Sequence, residues 1–460
     1  MTVGAGTLNL AGAVIGPVNQ FALISSGGDL ALNALLAPPT NLDTLLAITG
    51  GFDIVFGAAG QLVNGTATAT TTVVASGSTA ADIAGPANDN NPQISGSTIR
   101  LHTTGGNIGT AGVSLEINAN RIDGFTNGNM ATGGSAFITD VANGVAIGQF
   151  NAGTGNFTLH SIGNTGISTN ITAVTANDGV AEVLGNVVTL DVTNPATATT
   201  APSTGNNGQI GSFFAGAGQF FEVNATVLNA ATNNSRLWIS EVGSGATAGT
   251  AIGLVNAGTN TAFLRVRNGG VITSQTVDGT ADVIADVVNL STIAGDTGSF
   301  GTAINSPLEI NATTLNSTLA GTAGNIFVRD TGGSLAVQRA STTGNVGIET
   351  TAGQLILGNL TSTVSVVTAT GGTATLQSSA GISSGSPGGF SHVTATSLAL
   401  FAQGGDIGPL ETALSNLAAA GTNDIFVSNA GNLTIASRRR NGPNSGTDDR
   451  HNLGTALPAE

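Results

Sequence analysis

Few groups in this 460-residue chain could do chemistry. Gly381-Ile382-Ser383-Ser384-Gly385 has the Gly-x-Ser-x-Gly spacing of a nucleophile elbow. That turn needs a strand before its serine, a helix after it, and an acid and a histidine later in the chain. Here Ser386-Pro387-Gly388-Gly389 follows, which ends a helix before it starts, and His392 stands only nine residues past Ser383. The stretch is expected to be a Ser/Gly turn. His102, His160, His392 and His451 share no ligand spacing and form no His-Glu-x-x-His motif. Asn88-Asp89-Asn90-Asn91-Pro92 has the look of a calcium linker, but no second acidic ligand motif accompanies it, and an Asn-rich loop before a strand at Ile94 is expected instead. No catalytic, cofactor-binding or metal-ligating residue is assigned.

Two columns of residues remain, and both come from a repeat. Ala136-Phe137-Ile138-Thr139-Asp140 is written again as Leu237-Trp238-Ile239-Ser240-Glu241, as Ile326-Phe327-Val328-Arg329-Asp330 and as Ile425-Phe426-Val427-Ser428-Asn429. The fifth column, Asp140, Glu241 and Asp330 with Asn429 in the last copy, could line one side of a polysaccharide-cleaving groove, although acids at strand ends also begin turns. Alternate side chains leave a strand on opposite faces, so Ile138, Ile239, Val328 and Val427 are expected inside. Phe137, Trp238, Phe327 and Phe426 then face outward as a spaced row for contact with a ligand, or lie buried beneath loops.

Other columns travel with this one. Leu115-Glu116-Ile117-Asn118-Ala119 recurs as Phe221-Glu222-Val223-Asn224-Ala225 and Leu308-Glu309-Ile310-Asn311-Ala312, and in degenerate form as Leu410-Glu411-Thr412-Ala413. The first three copies follow a Gly turn at Ile108-Gly109, Ile210-Gly211 or Phe300-Gly301. Asp178-Gly179 through Leu190 matches Asp278-Gly279 through Leu290. The long unit is therefore roughly 90 to 100 residues, built of shorter strand-turn coils.

Composition agrees with a repeat array and narrows the partners. Hydrophobic residues make up 40% of the chain and fall in short alternating runs, which disorder would lack, while 68 glycines supply the turns. There is no lysine, and 11 arginines face 26 acids for a net charge of −15, so no basic footprint exists for nucleic acid. The absence of cysteine removes disulfides, thiol chemistry and Cys-type metal sites. No apolar run approaches the roughly 18 residues of a membrane helix, so no membrane insertion is expected. Met1-Thr2-Val3-Gly4-Ala5-Gly6 carries no basic region and no apolar core of a signal peptide. The expectation is either a protein inside the cell or a piece of a larger exported one.

Short strands broken about every ten residues by glycine, with no convincing helix, leave sandwiches, propellers and solenoids. Variable insertions around constant strands favour the solenoid, in which each coil stacks only on its neighbours. The reading is all-β: a solenoid of stacked parallel strands with roughly 20 residues per coil. Residues 1–50 are expected to be irregular capping coils, in which Leu35, Leu36 and the Asn41 to Ile48 stretch could make one helical turn or two, with Pro38-Pro39 blocking its start. Residues 51–436 form the array, and 437–460, which hold Arg438-Arg439-Arg440, are a disordered tail.

Gly-Gly-Asp-Leu-Ala-Leu-Asn-Ala (27–34), Gly-Gly-Ser-Leu-Ala-Val (332–337), Gly-Gln-Leu-Ile-Leu (353–357) and Gly-Asn-Leu-Thr-Ile-Ala (431–436) resemble the filamentous-haemagglutinin-like family over most of residues 20–436. These are large bacterial exoproteins, many of them adhesins, exported by two-partner secretion or as autotransporter passengers. The resemblance implies a right-handed parallel β-helix, a place at the cell surface, an outer-membrane secretion partner and a glycan or protein surface as the thing touched. The expected function is that of a structural and adhesive segment, not an enzyme. The alternatives are a polysaccharide-acting β-helix enzyme and a non-functional fragment of an adhesin.

Overall fold

The computed structural model describes the chain except for residues 1, 4–6, 11–19, 26, 38–43, 51, 66, 77–80, 127–132, 142–143, 164–168, 194–207, 215–216, 244–248, 321–323, 359–364, 386–389 and 437–460. The predicted tail and Pro38-Pro39 therefore lie outside the described residues. Two compact units emerge, Met1–Thr276 with Ile284–Asp286, and Val277–Val283 with Val287–Glu460. Among the described residues there is no helix. Within each unit the strands of the array stack in parallel, pairing with the strand one turn of chain earlier and, except at the ends, one turn later, which is a parallel β-helix; Ser212–Phe214 and Ala217–Gln219 instead form an antiparallel hairpin.

In the first unit one core column runs Leu8, Leu30, Ile54, Ile83 and Ile108, each in register with the next. From Leu30 onward these side chains are fully buried. Thr70–Ser76 shows why the sequence chooses this fold: Thr71, Val73 and Ala75 are buried and the residues between them are not, so a period of two puts every second side chain into the core. In the second unit Val346–Thr350 stacks between Ile326–Asp330 and Val367–Ser378. Like residue lies on like residue through Ile326 and Val346, and through Val328, Ile348 and Leu376.

At one corner the backbone N–H groups point along the stacking direction and need acceptors. Short polar side chains supply them, one rung at a time. Asp29 Oδ1 accepts from Asp53 N (3.2 Å), Asp53 Oδ1 from Asp82 N (2.9 Å), Asp82 Oδ1 from Asn107 N (2.6 Å) and Asn107 Oδ1 from Ser135 N (2.8 Å). The second unit has its own ladder, in which Ser299, Asn325 and Asn345 accept from Asn325 N, Asn345 N and Thr373 N.

Rung length departs from the expected constant of roughly 20. Ile407 and Ile425 are register partners 18 residues apart, whereas Val188 and Leu228 are 40 apart. Paired strands keep their register apart from local bulges, as between Ile407 and Leu410, and most of the difference in length lies between the paired strands. The array also begins earlier than residue 51. Gln20–Ser25 pairs with Thr44–Gly50, and Leu30–Leu32 with Ile54–Phe56, as regular rungs. The expected helical turn is a strand, Thr44–Gly50, because Ala47 and Thr49 alternate into the core like every other rung.

Ile138, Ile239 and Val328 are buried at 1%, 0% and 0% exposure, as strand parity requires. Val427 is only half-buried and Ile435 is 50% exposed, since they belong to the last described rung and nothing described stacks on them.

Candidate functional site: a buried glutamate that holds a surface loop

The four repeat copies superpose in register. Leu115-Glu116-Ile117 pairs with Ile138-Thr139-Asp140, Phe221-Glu222-Val223 with Ile239-Ser240-Glu241, Leu308-Glu309-Ile310 with Val328-Arg329-Asp330, and Leu410-Glu411-Thr412 with Val427-Ser428-Asn429. A glycine fixes the approach to each. Gly109, Gly211, Gly301 and Gly408 all have positive φ, from +62° to +103°. A Cβ there would press on the carbonyl oxygen of Phe137, Trp238, Phe327 or Phe426, at 2.5–2.6 Å in the first three. Only glycine satisfies both demands.

Between its two inward neighbours each glutamate should point to solvent, yet Glu116, Glu222 and Glu309 are at most 1% exposed. A loop from the preceding rung covers each one and turns its N–H groups onto the carboxylate. Glu116 accepts from Asn90 N (2.9 Å) and Asn91 N (3.2 Å), Glu222 from Gly179 N (3.0 Å), and Glu309 from Asp278 N (3.0 Å) and Gly279 N (3.1 Å). The loop is shaped by its own aspartate: Asp89, Asp178 and Asp278 each accept the N–H two residues on, from Asn91, Val180 and Thr280. Residues 88–92 are thus a loop wrapped on a glutamate, and the match between Asp178-Gly179 and Asp278-Gly279 marks the same loop twice. In the fourth copy the corresponding stretch, 386–389, is outside the described residues.

Arginines answer the buried charge. Arg267 Nη1 stands 2.7 Å and Arg265 Nη2 3.5 Å from Glu222 Oε1, and Arg329 bridges Glu309 (3.2 Å) and Glu349 (2.7 Å). Arg265 also reaches Asn177 Oδ1 at 2.7 Å and lies over the Phe220 ring at 3.9 Å.

A second column sits one rung earlier, just ahead of the strands that begin at Ile94, Val183, Val283 and Val393. Gln93, Glu182 and His392 each accept the N–H of the glutamate paired with them: Gln93 Oε1 from Glu116 N (2.7 Å), Glu182 Oε2 from Glu222 N (2.6 Å), His392 Nδ1 from Glu411 N (3.0 Å). Asp282 holds the same place beside Glu309, joined through its backbone N–H to the Glu309 carbonyl at 3.0 Å. Burial pushes Glu182 up to about 8; the Glu222 N–H opposes this, and the Glu222 and Asp178 charges add to it. Burial pulls His392 below its ordinary value, opposed by Glu411. Asp178, Glu182 and Glu222 bring carboxylate oxygens within 4.8 Å of one another, close enough to share a cation. Two guanidiniums and two backbone N–H groups already face that cluster, so it reads as an internally compensated network.

The residues singled out in the sequence fare differently. Phe426 is 55% exposed, Phe137 and Phe327 are half-buried, and Trp238 is 1% exposed, so the aromatics do not form an even outward row. Trp238 is buried because an antiparallel hairpin, Ser212–Phe214 with Ala217–Gln219, sits beside it and Phe263 stacks on its ring at 5.2 Å. Asp140, Glu241 and Asp330 are not a groove either. They turn inward, at most 2% exposed, and accept backbone N–H groups of Gly144, Gly243, Ala312 and Gly333. Burial raises Glu241 and Asp330 above the usual carboxyl range.

Ser384 and His392 do meet, at 2.7 Å. The imidazole is set up the wrong way for a general base, however. Its Nδ1 accepts the Glu411 N–H, so in the neutral ring the proton sits on Nε2, which donates to Ser384 Oγ instead of taking its proton. His102 stacks on Phe125 at 4.2 Å, His160 contacts Thr193 and Asp191, and His451 is outside the described residues.

No family model, no curated protein and no solved structure matches the chain.

Proposed function

We propose that this chain is a structural and adhesive segment of a bacterial exoprotein, a stiff β-solenoid whose work is to hold loops outward for contact with a glycan or protein surface. The observation that carries this reading is the repeated loop clamp. A charged side chain is removed from water three times at the same place in the repeat, and each time its partners are N–H groups of an exterior loop. Burying a carboxylate is costly unless it is fully hydrogen-bonded or paired, so the arrangement is understandable where the loop's conformation matters. Those loops and the segments beside them carry Val180 at 52% and Val277 at 41% exposure, the kind of apolar tips a contact surface uses. Export, a cell-surface location and an outer-membrane secretion partner belong to the same proposal and rest on the resemblance of the Gly-x-Leu-x-Leu motifs. The inward acids favour this reading over a polysaccharide-cleaving enzyme.

The test is surface binding by the intact chain to immobilised glycans and extracellular-matrix proteins, against a variant whose loops at 88–92, 177–180 and 277–280 are replaced by Gly/Ser. Binding that drops at least tenfold on replacement, with the circular-dichroism spectrum unchanged, supports the proposal. Equal binding by both, or none by the intact chain, sinks it.

A further inference from the structure

The clamp in the second copy differs from the other two in a way that makes it conditional. We propose that the Asp178–Glu182–Glu222 cluster is a proton-operated latch, in which a proton held on Glu182 keeps the 177–180 loop and the strand Ala217–Gln219 locked to the solenoid, and its loss to water releases them.

The geometry is specific to this copy. Glu182 is 1% exposed and Glu222 is fully buried, and with Asp178 they form three carboxyl groups whose oxygens lie within 4.8 Å. Among the described residues the charged groups placed against this cluster by contacts are Arg265 and Arg267. Both guanidiniums address Glu222 Oε1, so three negative charges would face two positive ones, and the cluster balances when one carboxyl carries a proton. Glu182 is the group placed to carry it, because it is the deepest in the cluster without a cation of its own. Burial, with the Glu222 and Asp178 charges behind it, holds its proton to about pH 8.

The latch holds the loop and the hairpin strand through hydrogen bonds. Glu222 Oε2 accepts from Gly179 N at 3.0 Å, and the Arg267 guanidinium packs against Gly179. Asn177 ties the loop to the hairpin strand, donating to Gly218 O (3.1 Å) and accepting from Phe220 N (3.3 Å) and Arg265 Nη2 (2.7 Å). A third charge on Glu182 would repel Glu222 inside a poorly solvated corner and Asp178 at its exposed rim. Opening the loop to water is the way to relieve that repulsion. The first copy is the internal control: Gln93 makes the same bond to the following N–H, carries no charge and has nothing to titrate.

The sign follows from linkage. The closed loop keeps its proton to about pH 8 and the open loop only to the ordinary 4.5, so closure is fully favoured below about 4.5 and the preference is lost by about 8. Purpose aside, the latch depends on the loop-display reading for nothing, and its readout involves no binding partner. Hydrogen exchange of the Gly179 amide, expressed as a protection factor to remove the intrinsic pH dependence, is measured from pH 5 to 9 on the whole chain and on Glu182→Gln. The expected result is a wild-type protection that falls by about tenfold or more between pH 6 and 8 and is level above that. In Glu182→Gln, which copies the natural Gln93, it changes less than about twofold over the same range. A Glu222→Gln variant should lose protection at every pH. Wild-type protection that stays constant from pH 6 to 8, or a Glu182→Gln curve that follows the wild type, overturns the proposal.

Discussion

At the scale of one residue, a glutamate in these strands is worth more buried than its charge suggests. Glu309 meets the N–H groups of Asp278 and Gly279 and the Arg329 guanidinium, all from a position at 0% exposure. Glu309→Ala would leave buried donors without an acceptor, at about 1–3 kcal/mol for each one that water does not reach. We expect a loss of about 2–4 kcal/mol in urea unfolding of the second unit, whereas Glu349→Ala, in the more exposed half of the same arginine bridge, should cost under about 1 kcal/mol. Equal losses would mean that Arg329, not the loop, is what Glu309 serves. The residue type was legible in advance, since Leu-Glu-Ile, Phe-Glu-Val and Leu-Glu-Ile recur, but its role was not. Parity alone sends such a glutamate to solvent, and its partners lie 20 to 45 residues away in sequence, so only the covering loop reveals it. The same distance hid Arg265, whose partner Asn177 is 88 residues earlier.

At the scale of the element, strand and turn were readable because the period of two and the positive-φ glycines are local signals. What local signals do not encode is which insertion folds back over which strand. Trp238 and Phe426 occupy the same column, yet a hairpin lies against one and nothing described covers the other. Trp238→Ala should therefore cost about 3–5 kcal/mol of stability, and Phe426→Ala less than about 0.5 kcal/mol. If the aromatic column contacts a surface, only Phe426→Ala will weaken that binding without moving the melting temperature. The glycine column makes a sharper case. Gly301→Ala combines a left-handed backbone at φ +67° with a Cβ 2.5 Å from the Phe327 carbonyl oxygen. The backbone strain alone is about 1–3 kcal/mol. Gly333→Ala, where φ is ordinary and a Cβ meets open space, should be neutral or slightly stabilising in the same thermal melt.

At the scale of the whole molecule, one repeat column sets opposite responses to pH in the two units. Glu182 in the first and His392 in the second both accept the N–H of the glutamate opposite, and burial shifts both toward the uncharged form. For Glu182 the folded value lies above the unfolded one, so its contribution is whole below about pH 4.5 and disappears as pH rises through about 8. For His392 the folded value lies below 6.5, so the unfolded chain takes up the proton first and stability is lost as pH falls through that range. Glutamine is the neutral residue the first copy uses in this place, and it isolates each effect. The melting temperature of Glu182→Gln minus that of wild type should rise from pH 5 to 8, and that of His392→Gln minus wild type should rise from pH 7 to 5. Each difference is to be read on the unit that carries the substitution, because Asp330, raised by burial in the second unit, titrates in wild type and variant alike and cancels. Two differences with the same sign of slope would show that the column is a packing position whose ionisation the solenoid does not feel.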